Sequence, residues 1–267
     1  MTRAELAGRI HVVIGDTQVR PGVCTKHLSW IGEYVAERFV GRNVVLVHLG
    51  DHWDMPSLSA YDRGKKEGEG KRYIEDVRAG NKAFAALNTP IARAMKEKRW
   101  TPERHFFFGN HEERIVRACN DEAFLEGKLS LSDLDTQGWT RHSFLSPVRI
   151  DGVTYSHYFY HPKTGRPYGG ENLHTRLKTV GHSFTMGHQQ GTQYAVREVG
   201  ARRHHGLVLG STYLHDEKYL GPQAVSYWRG IVVCHQVERG QYDPMFVSLD
   251  YLCRRYEGVT LKRFLRA

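Results

Sequence analysis

Five short segments of this chain carry residues that bind hard or borderline metal ions: Gly15-Asp16-Thr17-Gln18, Gly50-Asp51-His52-Trp53-Asp54, Gly109-Asn110-His111-Glu112, Tyr155-Ser156-His157 and Gly187-His188-Gln189-Gln190. Each follows a short apolar run of the kind that forms a buried strand. One Asp or His at a strand end means little. Five in succession, at helix-sized intervals, read as one metal site along a sheet edge, and such a site suits metal-assisted attack on a phosphate ester.

The chemistry suggests a role for each residue. Two ions about 3.5–4 Å apart can clamp a phosphate between them. A carboxylate has two oxygens, so Asp51 is the natural bridge, and Asp16 can hold the first ion. Asn110 offers a neutral carbonyl oxygen to the second ion, and His157 and His188 offer imidazoles. His111, beside Asn110, falls near the phosphate, where it can protonate the leaving oxygen or stabilise developing charge. Arg114 can grip a phosphate oxygen through its fork, or serve as an ordinary surface arginine of a helix.

The elements that must position these residues are visible as patterns. Arg9 to Ile14 and Asn43 to Leu49 are strand-like, and between them Leu28, Ile31, Val35 and Phe39 recur at helical spacing behind a Thr25 N-cap. This βαβ order brings Asp16 and Asp51 out at the same edge. A helix is expected from about Tyr73 to Leu87, interrupted by Pro90, with a second from Ile91 to Lys98. His105 to Phe108 is the third strand. Asp151-Gly152 is a two-residue hairpin signal. Ser183 to Met186, Gly206 to Leu209, Gly230 to Val237 and Pro244 to Leu249 are strand-like, and 62–72 and 161–170 read as loops.

The chain has 267 residues, 40% of them hydrophobic, which suits one α/β domain over 1–267. No run of about 18 apolar residues suggests a membrane span, and the start of the chain lacks an apolar signal region. Cys24, Cys119, Cys234 and Cys253 are scattered, which argues against a zinc ribbon or a disulfide framework. The net charge of +9 suits a polyanionic partner such as nucleic acid. Lys65-Lys66 and Lys71-Arg72 could grip a phosphate backbone, and Trp228-Arg229 could stack on a base, though solvated charge and ordinary packing explain both equally.

The order Asp-x-(ligand), Gly-Asp-x-x-Asp, Gly-Asn-His-Glu, His and Gly-His-x-(ligand), from Gly15 to Gln190, resembles the calcineurin-like metallophosphoesterase superfamily. The whole chain is similar to small phosphoesterases encoded by bacteriophages. The resemblance implies a four-layer αββα sandwich of two mixed β-sheets flanked by helices. It implies two divalent metal ions, with Asp16 at the first, Asp51 bridging, and Asn110, His157 and His188 at the second. It makes His111 catalytic and leaves Asp54 to orient the site. His161 and His182 are rivals of His157 for its position. The expected location is the cytoplasm, that of the host if a phage encodes the protein.

The departures are informative. The family usually has Asp-x-His first and Gly-His-x-His last, and here both second histidines are glutamine, Gln18 and Gln190. Both would serve the first metal. An amide oxygen is a harder, weaker donor than imidazole, so the first site should favour Mn²⁺, Mg²⁺ or Ca²⁺ over Zn²⁺. The expected function is a metal-dependent phosphodiesterase or nuclease acting on nucleic acid or nucleotides by two-metal hydroxide attack, with Mn²⁺ as the expected ion. Two alternatives stand beside it. One is a phosphomonoesterase like the protein phosphatases, although their Arg-Gly after Gly-Asp-x-x-Asp is replaced by Met55-Pro56. The other is a nucleic-acid-binding protein whose first metal site is impaired by the glutamines.

Overall fold

A computed structural model describes residues 8–61, 64–161, 164, 166–168, 172–217, 221 and 227–266. Parts of the two expected loops, at 62–63, 162–163, 165 and 169–170, lie outside the described residues. In chain order the elements are β1 (Arg9–Ile14), α1 (Lys26–Phe39), β2 (Val44–His48), α2 (Tyr73–Lys98), β3 (Glu103–Phe107), α3 (Glu113–Asp121), β4 (Thr140–His142), β5 (Val148–Ile150) and β6 (Val153–Ser156). Then come α4 (Leu173–Val180), β7 (Phe184–Met186), β8 (Gln193–Val199), β9 (Arg202–Val208), β10 (Gly230–Glu238), β11 (Gln241–Ser248), α5 (Leu249–Glu257) and α6 (Leu261–Phe264).

The strands form two mixed sheets, in the orders β11-β10-β1-β2-β3-β4 and β5-β6-β7-β9-β8. In the first, β1, β2, β3 and β4 run parallel and β10 and β11 return antiparallel. Ile14 pairs with His48 and His48 with Phe106, so three consecutive strands end level. In the second, Ser156, Met186 and Val208 end level on parallel β6, β7 and β9. The alternating pleat sends Val12, Ile14 and Leu46 outward against α1, α2 and α5, where Leu28, Ile31, Leu87, Ile91 and Leu252 cover them. Val13, Val47, Phe107 and Val232 point inward against Tyr155 and Leu207 of the second sheet. Leu173 and Leu177 of α4 cover Phe184, Met186 and Val208 on the far side. The result is an αββα sandwich. Covering the parallel strands on both faces explains why their sequences read as unbroken apolar runs.

Pro90 does not interrupt its helix. α2 runs continuously from Tyr73 to Lys98 with Pro90 inside it and buried. Packing outweighs the lost hydrogen bond, because a Cβ at Gly32 would lie 2.3 Å from the Leu87 carbonyl oxygen and 3.2 Å from Pro90 Cγ. α1 therefore lies close against α2 at this point. Strands β4 and β8 and helices α4 to α6 have no counterpart in the sequence expectations. The exposed outer half of β8 and its partly polar pairing with β9 blur the apolar pattern there. His205 is buried, with Nδ1 2.8 Å from the Tyr194 hydroxyl. Among the described residues no helix is long and apolar enough to cross a membrane.

Gly80 shows how α2 supports the site. A Cβ there would meet Trp53 Cδ1 at 1.9 Å, while the Gly80 carbonyl lies 3.0 Å from His52 Nε2. The helix thus lies flush on the segment between Asp51 and Asp54. In an open helix Gly→Ala adds about 0.8–1 kcal/mol of stability. Here Gly80→Ala should instead cost about 1–3 kcal/mol through overpacking. Urea unfolding tests this, and an unchanged or higher midpoint would contradict the packing described.

Candidate metal centre

The level strand ends bring the five segments together. Asp51, in the loop after β2, sits in the left-handed region at φ 49°, and His188, after β7, at φ 65°. Non-glycine residues pay strain to adopt that conformation, and such strain concentrates at functional sites. Two glycines make room for the carboxylates. A Cβ at Gly109 would lie 2.1 Å from Asp51 Oδ1, and one at Gly187 2.4 Å from Asp16 Oδ1. Residues 15–19 and 50–54 are laced by backbone bonds, with the N–H groups of Gln18 and Val19 donating to Asp51 and His52 carbonyls at 2.8 and 2.7 Å.

Among the described residues, Asp51, His157 and His188 form a group that could hold a metal ion, their ligand atoms within 4.8 Å of one another. Asn110 joins it. His157 Nε2 stands 2.9 Å from Asn110 Oδ1 and 3.3 Å from Asp51 Oδ2. The His157 Nδ1–H donates to the Leu49 carbonyl at 2.8 Å, so Nε2 is the nitrogen turned to the cluster. Burial disfavours charge on His157, but Asp51 and Asp16 outweigh it and raise the pKa to about 9. A cation and a proton therefore compete for the same nitrogen. Burial, with His157 nearby, lowers His188 to about 4 and keeps it neutral, the form that ligates. Burial also works against the Asp51 charge, yet His111 and His157 hold its carboxyl well below the usual range.

The remaining first-site candidates are arranged differently. The Asp16 carboxylate accepts the His188 backbone N–H at 3.1 Å and the Gln190 side-chain Nε2–H at 3.1 Å. The Gln190 amide oxygen lies 3.1 Å from Ser211 Oγ, which also donates to the Gln190 carbonyl. Gln190 thus presents a donor to Asp16. Burial raises the Asp16 carboxyl well above the ordinary range. Gln18 is buried at φ 41° in the loop beside Asp16.

His111 faces the cluster from the third segment. Its backbone N–H donates to Asp51 Oδ1 at 2.9 Å, and its Nε2 lies 3.7 Å from Asp51 Oδ2. The Nδ1–H donates to Asp54 Oδ1 at 2.6 Å. Burial opposes ionisation of Asp54, but His111 and Arg20 outweigh it and hold the pKa at about 2. For His111 itself, burial is likewise outweighed by Asp51 and Asp54, which raise its pKa. Arg114 donates from Nη1 to the Asp54 carbonyl at 2.8 Å, and its Nη2 lies 3.4 Å from His111 Nε2.

Three contributors escaped the sequence reading. Glu112 is fully buried, and its carboxylate accepts four backbone N–H groups, from Asp51, His52, Trp53 and Gly109, at 2.7–3.0 Å. Burial and the Asp51 charge push its pKa up. Four backbone donors point at its two oxygens, a pattern that the ionised form satisfies. Its place in Gly-Asn-His-Glu was the available signal. Arg20 donates to Asp54 Oδ2 at 2.7 Å and to Glu217 Oε1 at 2.6 Å, and no sequence spacing announces that link. Arg117 donates to the backbone carbonyl of Asn110 at 2.6 Å.

Other candidates fall elsewhere. His52 is buried, with Nδ1 2.7 Å from Thr17 Oγ1 and Nε2 3.0 Å from the Gly80 carbonyl. His182 lies at the opposite end of β7, near Arg149 and His204, and His161 packs against Tyr168. Arg229 bonds Asp216 at 2.9 Å, and Trp228 packs edge-on against Phe246.

No protein-family model matches the sequence, and no curated protein matches it. Among solved structures the chain is similar to wild-type Vps29 from Entamoeba histolytica complexed with zinc. The identity is 12%, the TM-score 0.33, and the match covers 90% of this chain and 99% of that one. A likeness this distant assigns neither a residue nor an activity.

Replacing Glu112 by glutamine keeps the shape but sets an amide N–H₂ against backbone donors. Hydrogen bonds to charged groups contribute roughly 1.5–3 kcal/mol each. Glu112→Gln should therefore destabilise the fold by at least about 3 kcal/mol and weaken metal binding more than tenfold. Denaturant unfolding and calorimetric titration with Mn²⁺ measure the two. Wild-type metal affinity in the variant would remove Glu112 from the account.

Proposed function

We propose that this chain is a metal-dependent phosphoesterase of the calcineurin-like kind, hydrolysing phosphodiesters of nucleic acids or nucleotides. The observation that carries the reading is the convergence of Asp51, Asn110, His157 and His188, with His111 Nε2 3.7 Å from the same Asp51 carboxylate. One carboxylate, one amide oxygen and two imidazoles make a mixed oxygen–nitrogen set, whose oxygens suit Mn²⁺ and whose imidazoles also suit Zn²⁺ or Fe²⁺. When bound, the ion would act as a Lewis acid toward the phosphoryl oxygens.

The chain's own residues supply the rest. Asp54 fixes the His111 ring by its Nδ1–H, and Arg20, braced by Glu217, fixes Asp54. With Nδ1–H held by Asp54, the doubly protonated ring would donate its Nε2 proton to the leaving oxygen and return to the neutral form. Arg114, held at the Asp54 carbonyl, turns Nη2 toward His111 Nε2, where it can balance charge on the phosphate. A second, weaker ion at Asp16, Gln18 and Gln190 requires the Gln190 amide to turn over, so that its oxygen replaces the N–H₂ now on Asp16. Mn²⁺, Mg²⁺ or Ca²⁺ would suit those oxygen donors. The net charge of +9 supports a polyanionic substrate.

The Gln190 contact with Asp16 favours a second reading, a nucleic-acid-binding protein with one metal and little turnover. One experiment separates the two. Metal-stripped wild-type and His111→Ala proteins are titrated with Mn²⁺, Mg²⁺, Ca²⁺ and Zn²⁺ against bis(p-nitrophenyl) phosphate and p-nitrophenyl phosphate. The expected result is Mn²⁺-dependent turnover favouring the diester. His111→Ala should lose about 10²–10⁴-fold in kcat while Mn²⁺ affinity stays within a few-fold. Folded protein that binds one ion and hydrolyses neither ester would overturn the enzyme reading in favour of binding.

A further inference from the structure

A cleft of about 620 Å³ opens beside the candidate metal centre and shares Asn110 and Arg114 with it. Small-ligand pockets span roughly 300–1,000 Å³. One wall is the segment that follows Asp54. It turns through Met55 at φ 49°, continues as a 3₁₀ turn at Pro56–Leu58, and is pinned where the Ser57 N–H donates to Asp76 Oδ2 at 2.9 Å. The opposite wall is α3, which contributes Arg117 and Ala118.

The lining is graded. At the metal end stand the guanidinium groups of Arg114 and Arg117. The apolar stretch is made by Leu58 and Ala118, and the Tyr61 side chain beside it is 81% exposed. Lys65, Glu69, Asp121 and Glu122 also line the cleft. The carboxylates among them can accept N–H donors from a ligand. An unburied aromatic face next to an apolar wall suits a planar neutral ring.

We propose that this cleft is a nucleoside subsite: it seats the base of one nucleotide against Tyr61 while the phosphate lies at Arg114, Arg117 and the metal centre. The proposal rests on the phosphoesterase reading and narrows its substrate class to esters carrying a nucleoside. Arg117 then acts twice, on the phosphate and, through the backbone carbonyl of Asn110, on a ligand of the metal site.

The test is calorimetric binding of adenosine 5′-monophosphate and ribose 5-phosphate to the Mn²⁺-loaded protein, for wild type, Tyr61→Ala and Tyr61→Phe. The base should tighten binding about tenfold over the sugar phosphate, in line with stacking of one base on an aromatic side chain. Tyr61→Ala should remove most of that advantage and leave ribose 5-phosphate binding unchanged, and Tyr61→Phe should restore it. Equal binding of the two phosphates, or a base advantage that survives Tyr61→Ala, would overturn the subsite while leaving the metal-centre reading intact. Binding of neither phosphate would overturn both.

Discussion

The site depends on one buried carboxylate. Glu112 accepts N–H groups from Asp51, His52, Trp53 and Gly109, and so ties the loop after β2 to the loop after β3. Those loops carry the Asp51 bridge candidate, Asn110 and His111. The four charge-assisted bonds help offset the strain of the left-handed Asp51 backbone and the cost of burying Glu112 beside another carboxylate. Gly109 completes the arrangement, because any side chain there would collide with Asp51. The ligands are therefore positioned before any ion arrives, by backbone donors that a parallel sheet leaves free at its edge.

Around that anchor the charges are unevenly divided. Asp51 sits beside His111 and His157, which hold it ionised, whereas Asp16 is buried against amide donors and has its pKa raised. Two imidazoles and an asparagine converge with Asp51, but Gln190 turns its N–H₂ to Asp16. The two halves of the site are thus built for different tasks. One gathers donor atoms that could hold a metal ion. The other would have to turn the Gln190 amide before Asp16 and its neighbours could accept one.

Much of this was legible in the sequence, for a definite reason. Parallel strands that end level deliver their following residues to one edge, so motifs after successive apolar runs report spatial neighbours. Asp16, Asp51, Asn110, His111, His157 and His188 could be grouped on that basis, and the structure places them together. Long-range partnerships were not legible. Arg20 meets Glu217 across almost two hundred residues, and nothing in either neighbourhood encodes the pairing. Glu112 stood inside Gly-Asn-His-Glu without a role, because local sequence does not reveal which backbone groups lack partners. Pro90 illustrates the other limit: helix propensity lost locally is recovered by packing against Gly32, a residue far away in sequence.

The most direct measurement is anomalous diffraction at the manganese edge from crystals of the protein grown with Mn²⁺. The account predicts a strong peak within ligand distance of Asp51, Asn110, His157 and His188, with any peak beside Asp16 weaker. Well-ordered density for all four side chains and no peak among them would contradict it.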